Sequence, residues 1–156
     1  VGSEMCIRDR MEAQDPAQRL AERCVAAMLE RDPASSGLGM RLLRVAPGEA
    51  ELSMRIVPHM LNGHQNCHGG FIFTLADSAF ACACNSFDRL TVGQSCTIHY
   101  IRPVTAGTVL TARARCLAEA GRSGIYDVLV LDEQEQVVAT FRGQSRTVGG
   151  SMLGGE

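Results

Sequence analysis

The sequence contains no lysine and no tryptophan, and its aromatic residues amount to only 4% of 156 residues. All 15 basic residues are therefore arginines. This excludes a Schiff-base lysine, a lysine general base and the lysine of a phosphate-binding P-loop. The net charge of -2 leaves neither sign dominant, which argues against nucleic acid or an anionic membrane as a partner. No apolar run approaches the roughly 18 residues that a membrane-spanning helix needs.

Paired metal-binding cysteines are also missing, although the chain has 7 cysteines. Neither Cys67-His68 nor Cys82-x-Cys84 has the spacing of a zinc site or a cysteine–histidine nucleophile. We therefore expect no metal and interpret the cysteines as small buried hydrophobes. An odd cysteine count without a recognisable secretory leader favours free thiols in a reducing cytoplasm.

The length fits one domain with short flanking segments. Residues 1–10 (VGSEMCIRDR) differ in character from the rest of the chain, and we interpret them as a non-native leader left by cloning or assembly. Residues 11–34 are predicted to be a helical segment, residues 35–150 a single domain, and residues 151–156 a flexible tail.

Hydrophobic spacing predicts the order helix, two strands, buried helix and four strands. In the second strand Ala50, Leu52, Met54 and Ile56 alternate with polar neighbours, which indicates one buried face. The predicted helices are 16–32 and 69–86, and the predicted strands are 38–46, 49–57, 91–102, 108–118, 125–132 and 137–148. A buried helix followed by most of the strands favours an α+β fold, with an antiparallel sheet wrapped over that helix.

One carboxylate lies within the most apolar stretch, LNGHQNCHGGFIFTLADSAFACACNS (61–86). Burying Asp77 among Phe, Leu, Ala and Cys costs free energy unless the side chain has partners or a function. It is either a structural residue bonded to a buried group, or a general base or nucleophile with a shifted pKa. Gly69 and Gly70 follow His68 at the helix start, where free N–H groups can hold a developing oxyanion. They could also serve only to make room for packing.

The spacing between Gly69 and Asp77 constrains how the two could cooperate. Eight residues of helix separate them by about 12 Å, too far to reach one reacting carbon. Two chains with antiparallel helices would bring Gly69 of one to Asp77 of the other, and Ala76, Ala79 and Ala83 would permit close helix approach. Any interpretation that uses both residues therefore predicts a dimer.

Several polar residues carry little information on their own. Asn62 suits loop capping and Ser95 suits a strand surface. Arg102, Arg142 and Arg146 are either solvated strand charges or partners for the phosphates of a pantetheine nucleotide. Four aromatic residues could line a pocket or fill the core, and we favour the core: Phe71, Phe73, Phe80 and Tyr100.

Three segments together resemble a known family. They are HMLNGHQNCHGGFIFTLADSAFACACNS, CTIHYIRPVTAGTVLTARA and GRSGIYDVLVLDEQEQVVATFRGQSRTVGG, within residues 38–150. They resemble the phenylacetate-pathway thioesterases of PaaI type, in the hotdog-fold superfamily. The resemblance implies a sheet wrapped around a long central helix. It also implies a homodimer with active sites at the interface, usually paired into a tetramer.

The resemblance further implies hydrolysis of aryl- or phenylacetyl-type acyl-CoA thioesters, with no cofactor because coenzyme A is part of the substrate. In it, the Gly69 N–H polarises the thioester carbonyl and Asn62 holds the same region of substrate. Asp77 of the facing subunit activates water or attacks directly, and Ser95 positions that water. His68 and Gly70 contribute to substrate binding mainly by shaping the loop.

Two other functions remain open for the sequence. One is a hotdog enoyl-CoA hydratase or dehydratase, which would have a histidine five residues after the aspartate, where this chain has Cys82. The other is a non-catalytic acyl-CoA binding or gene-regulatory module, against which the intact Asp77 and Ser95 argue.

Overall fold

A computed structural model describes residues 15–154, so the predicted leader at residues 1–10 lies outside the described part. The two N-terminal helices are α1 (Pro16–Glu30) and α2 (Pro33–Gly37). The central helix α3 spans Gly69–Cys84 and follows a 3-10 turn at Pro58–Met60. The strands are β1 (Arg41–Ala46), β2 (Glu49–Arg55), β3 (Thr91–Tyr100), β4 (Val109–Ala120), β5 (Ser123–Leu131) and β6 (Val137–Thr147).

The strands form one antiparallel sheet in the order β1-β2-β4-β5-β6-β3. Helix α3 packs across one face of this sheet, and the alternation in β2 buries Ala50, Leu52 and Met54 against it. The prediction of an α+β fold with a sheet around a central helix is therefore confirmed.

Helix α3 is less completely buried than its composition predicts. Phe73, Asp77 and Ala81, spaced four residues apart, are only half-buried and lie on one helix face. Ala76, Ala79 and Ala83 are fully buried within the chain. The prediction that these three alanines face a partner helix is wrong, because residue spacing alone does not say which face of a helix meets the sheet.

The predicted element boundaries shift by a few residues at several ends. Helix α1 stops at Glu30, and Asp32 caps the separate helix α2 by accepting a bond from the Ser35 N–H. The Ser35 hydroxyl also contacts the Ser78 hydroxyl at 3.1 Å, which ties α2 to α3. The proposed division between residues 34 and 35 falls inside α2, and the domain boundaries stay a prediction.

The chain end returns to the helix–strand connection before β3. Both Ser151 and the Leu153 N–H donate hydrogen bonds to the Asp88 carboxylate. Among residues 15–154, no helix is both long and apolar enough to span a membrane.

The two edges of the sheet differ in their cover. Helix α1 packs against β1 at one edge, whereas β3 forms the other edge and most of its residues are exposed. Apolar side chains at that edge include Val92, 46% exposed, and Tyr100, 50% exposed. A long edge strand leaves a row of backbone N–H and C=O groups available for pairing.

Candidate active site

The start of α3 holds an ordered set of hydrogen bonds around Gly69. His68 is the N-cap residue, and its Nδ1 accepts a 3.0 Å bond from the Gly70 N–H. Because Nδ1 accepts, a neutral His68 carries its proton on Nε2. The Tyr100 hydroxyl donates a 2.9 Å bond to the Gly69 carbonyl. Within residues 15–154 the Gly69 N–H has no partner, so it is free to bind an incoming acceptor.

Gly69 also makes room for the Tyr100 ring. A Cβ at position 69 would lie 2.8 Å from Cζ of Tyr100 and 3.0 Å from its hydroxyl oxygen. The packing interpretation of the sequence thus holds for Gly69, and it coexists with a free N–H that points away from the helix.

Asn62 organises the loop that precedes α3. Its Oδ1 accepts bonds from the N–H groups of His64 at 2.9 Å and Asn66 at 3.3 Å. Gln65, between them, has a φ of 63°, a left-handed conformation that this closed loop supports. Since Oδ1 is occupied, the side chain has its Nδ2 donor left for another molecule.

Asp77 differs from every other described aspartate. Its carboxylate accepts no hydrogen bond from any residue in the 15–154 range. Burial without a partner raises the pKa of Asp77 above its ordinary value of 3.8. The remaining described aspartates all accept hydrogen bonds: Asp15, Asp32, Asp88, Asp127 and Asp132. A structural role for Asp77 would require such bonds, and the described residues supply none there.

Asp77 lines a cavity of about 440 Å³ between α3 and the start of β3. Phe73 and Phe80 form its apolar wall on the helix, and Gln94 and Ser95 border it on the strand. A half-buried carboxylate beside apolar walls and open space is suited to meet a water molecule or an electrophile.

A β-bulge shapes the strand side of this cavity. The register between β3 and β6 shifts between Gly93 and Ser95, so Gln94 is the extra residue. Bulges re-aim side chains and are common beside active sites. The Ser95 hydroxyl donates to Oε1 of Gln144 at 3.3 Å. The predicted role of Ser95 towards water near Asp77 therefore stays a prediction.

The three predicted phosphate-binding arginines are not brought together. Arg102 follows the end of β3, whereas Arg142 and Arg146 lie on β6, and all three are exposed. Arg142 is engaged with Asp127 through two bonds of 2.7 and 2.9 Å. This pair lines a second cavity of about 820 Å³ formed by strand residues and bordered by Ser95.

The chemical groups of the predicted site fall into two places along one chain. Gly69 meets Tyr100 at the end of β3, whereas Asp77 shares its cavity with residues 91–96 at the strand's beginning. Helix α3 and strand β3 thus run in opposite directions, and Gly69 and Asp77 lie near opposite ends of β3. Gly69 and Asn62 do not line the Asp77 cavity.

Two residues beside the site were not predicted as functional. The sequence favours the core over a pocket for Tyr100, but the residue is half exposed and bonded to Gly69. Phe80, by contrast, is buried as predicted. Gln94 had no sequence signal except its position next to Gly93 in a polar part of a strand, where glycine often accompanies a bulge.

The Cys67 thiol, two residues before Gly69, is not in an environment that activates a nucleophile. Burial raises the pKa of the Cys67 thiol to about 11, so it is not an activated nucleophile. Within residues 15–154 no group of three or more His, Cys, Asp or Glu side chains could hold a metal ion.

Comparison with known proteins links this geometry to a family. The sequence profile of the thioesterase superfamily matches residues 64–139, which include Gly69, Asp77 and Ser95. The chain is 43% identical over 128 residues to the acyl-coenzyme A thioesterase PaaI of Escherichia coli K12, covering 82% of this chain and 91% of that protein.

Two solved structures have the same fold. The E. coli PaaI protein from the phenylacetic acid degradation operon has a TM-score of 0.85 at 41% identity, covering 86% of this chain and 98% of that one. The TT0310 protein from Thermus thermophilus has a TM-score of 0.73 at 40% identity, covering 76% and 99%.

Proposed function

The chain belongs to the thioesterase superfamily and is a thioesterase, and from this premise we propose that it hydrolyses aryl- or phenylacetyl-type acyl-CoA thioesters to a free acid and CoA. The observation that carries this proposal is the unpaired Asp77 carboxylate in its cavity, on the helix that begins with the free Gly69 N–H. Coenzyme A enters as part of the substrate, and the proposed reaction uses no cofactor.

We propose that the active site is completed by a second copy of the chain. Strand β3 has Gly69 near its end and the Asp77 cavity near its beginning. If two β3 edges pair antiparallel, the end of one strand lies beside the beginning of the other. Gly69 of one protomer would then approach Asp77 of its partner, and twofold symmetry would form two such sites. A further pairing into a dimer of dimers is part of the same proposal.

In this site the Gly69 N–H and Asn62 Nδ2 would donate to the thioester oxygen, which gains negative charge as the carbonyl is attacked. The positive end of the helix dipole adds to this stabilisation. Asp77 would then act in one of two ways. It takes a proton from the attacking water, or it attacks the carbonyl and forms a mixed anhydride that water hydrolyses. In both, the bond from carbonyl carbon to sulfur breaks and CoA leaves as a thiolate that is then protonated.

The remaining assignments follow from this arrangement. His68 and Gly70 would bind substrate by shaping the loop, and Ser95 would orient water. Arg102, Arg142 and Arg146 are candidates for the CoA phosphates, although Arg142 would have to leave Asp127. The free cysteines at 24, 67, 82, 84, 96 and 116 favour a reducing compartment such as the cytoplasm.

Hydratase chemistry has less support. The position where the hydratases have a histidine is Cys82, which is fully buried, and burial raises its pKa to about 12. Such a thiol does not exchange protons with substrate near neutral pH.

A panel of acyl-CoA thioesters with detection of the released thiol tests class and substrate together. We expect aryl and phenylacetyl esters to be cleaved faster than straight-chain esters, because aromatic groups suit the Phe73 and Phe80 wall of the cavity. Release of no thiol from any ester, or hydration of an enoyl-CoA instead, would reject the proposal.

Subunit complementation tests the shared site. An Asp77→Asn protomer retains a good Gly69 loop, and a Gly69→Pro protomer retains a good Asp77. When the two inactive variants are denatured, mixed equally and refolded, heterodimers should regain one intact site each, restoring about a quarter of parental activity. If the mixture stays inactive while mixed dimers form, the site does not cross the interface.

A further inference from the structure

The backbone on both sides of Gly69 is fixed by named hydrogen bonds. The peptide group after Gly69 is held at its carbonyl by the Tyr100 hydroxyl, at 2.9 Å, and at its N–H by Nδ1 of His68, at 3.0 Å. The peptide group before Gly69 is held at the His68 carbonyl by the Phe71 N–H, at 3.0 Å. Of these groups, the Gly69 N–H is left without a bond within residues 15–154.

We call the bonds from Tyr100 and His68 to the peptide group after Gly69 the Gly69 clamp. They restrict a residue whose backbone would otherwise be free to move. Glycine has the greatest backbone freedom of any residue, yet an oxyanion donor must be oriented before the reaction to be effective. A larger residue fits only if the Tyr100 ring moves, because its Cβ would lie 2.8 Å from Cζ of Tyr100. Tyr100 thus packs against a glycine and also supplies a bond that removes the freedom of that glycine.

We propose that Tyr100 is a positioning residue that, together with His68, fixes the peptide group after Gly69 and so aims the Gly69 N–H at the thioester carbonyl. The inference rests on the proposed function, since it assigns the Gly69 N–H to substrate. Tyr100 orients the Gly69 N–H and does not contact the reacting atoms. Loss of its hydroxyl should therefore lower kcat and leave KM unchanged.

The chain offers a matched control, because it contains only 2 tyrosines. Tyr100→Phe removes the hydroxyl that binds Gly69 and keeps the ring. Tyr126→Phe removes the hydroxyl of the other, buried tyrosine, which lies beside the Cys116 thiol. We expect Tyr100→Phe to lower kcat about two- to tenfold with KM unchanged, the loss that one net hydrogen bond predicts. Tyr126→Phe should keep the parental kcat.

A double-mutant cycle separates positioning from general stability. Gly69→Ala keeps the N–H, but its Cβ would lie 2.8 Å from Cζ of Tyr100, so we expect the ring to move and the same bond to break. Gly69→Ala should therefore lower kcat by about as much as Tyr100→Phe, and the double variant should lose little more. Multiplicative losses, or a Tyr100→Phe enzyme with parental kcat, would overturn the inference.

Hydrogen exchange at residues 68–71 gives a readout that does not depend on catalysis. Loss of the clamp should accelerate exchange of the Gly70 amide in Tyr100→Phe and leave it unchanged in Tyr126→Phe. Unchanged exchange in both variants contradicts the inference, whatever the enzyme hydrolyses. A parent that hydrolyses no thioester rejects the proposed function, while the exchange result still reports on the clamp.

Discussion

The beginning and the middle of helix α3 treat their polar groups in opposite ways. Around Gly69 the neighbouring donors and acceptors are bonded, through His68, Tyr100 and Phe71. Asp77, eight residues later, has a carboxylate with no bond from the residues 15–154, and burial raises its pKa. A donor that stabilises charge must be oriented beforehand, whereas a base or nucleophile must remain reactive. The start of α3 is thus held in place by hydrogen bonds, whereas burial of the unpaired Asp77 carboxylate costs free energy.

The largest expected effect comes from removing the reactive part. Asp77→Asn keeps the shape of the side chain and removes its negative charge. We expect kcat for thioester hydrolysis to fall by about 10²–10⁴, the contribution typical of a positioned acid or base. Asp132→Asn, in an exposed turn, is the matched control and should keep the parental rate. Parental activity in purified Asp77→Asn would remove Asp77 from the mechanism.

Next in size is removal of the oriented donor. Gly69 is the first residue of α3, where proline is well tolerated, and His68 has the extended φ of -61° and ψ of 133° that precede proline. Gly69→Pro deletes the N–H, whereas Gly69→Ala adds the same Cβ and keeps it. We expect kcat of the proline variant to lie about 10²–10³ below that of the alanine variant. Equal rates in the two variants would show that this N–H does not stabilise the transition state.

Stability should respond to Asp77 in the opposite direction from activity. Burial raises the pKa of Asp77 in the folded state above its ordinary value of 3.8. As pH rises, the unfolded chain therefore ionises first, and the folded state loses stability between 3.8 and the raised pKa. At pH 7, Asp77→Asn should therefore melt at a higher temperature than the parent. The difference should shrink as pH falls towards 3.8, and kcat of the parent should fall over the same range. Thermal unfolding from pH 4 to pH 8 checks this, and a variant less stable at pH 7 would contradict it.

The smallest expected effect concerns the bond from the Gly70 N–H to His68. His68→Ala removes the N-cap acceptor of the Gly70 N–H, which should lower the free energy of unfolding by about 1 kcal/mol. Asn at the same position is a good N-cap and should recover most of that stability. Denaturant unfolding of the three proteins measures this, and equal midpoints for Ala and Asn would show that capping is not the contribution of His68.

The local hydrophobic pattern of the sequence predicts much of the fold, because it indicates which face of each helix or strand is buried. The alternation in β2 and the apolar character of 69–84 correctly predicted a sheet over a helix. The apolar pattern predicts that α3 ends at residue 86, two residues beyond its end at Cys84. Asn85 bonds both to Ala81 and across to Thr91, and this stops the helix.

The candidate site was predictable in its isolated carboxylate and less so in its contacts. Asp77 is conspicuous because it is the only charged residue in the apolar stretch 69–86. The bond from Tyr100 to Gly69 joins residues 31 positions apart, and no local period encodes it. The buried alanines of α3 show the same limit, because spacing gives a stripe and tertiary packing decides what covers it.

The uncovered β3 edge has a consequence for how the enzyme works at different concentrations. If both sites need two antiparallel β3 strands, a separate chain contains every catalytic group and hydrolyses nothing. Specific activity should then decline as the protein is diluted below the dissociation constant of the dimer, and a newly made chain should leave the CoA esters of the cell untouched until it meets a second copy.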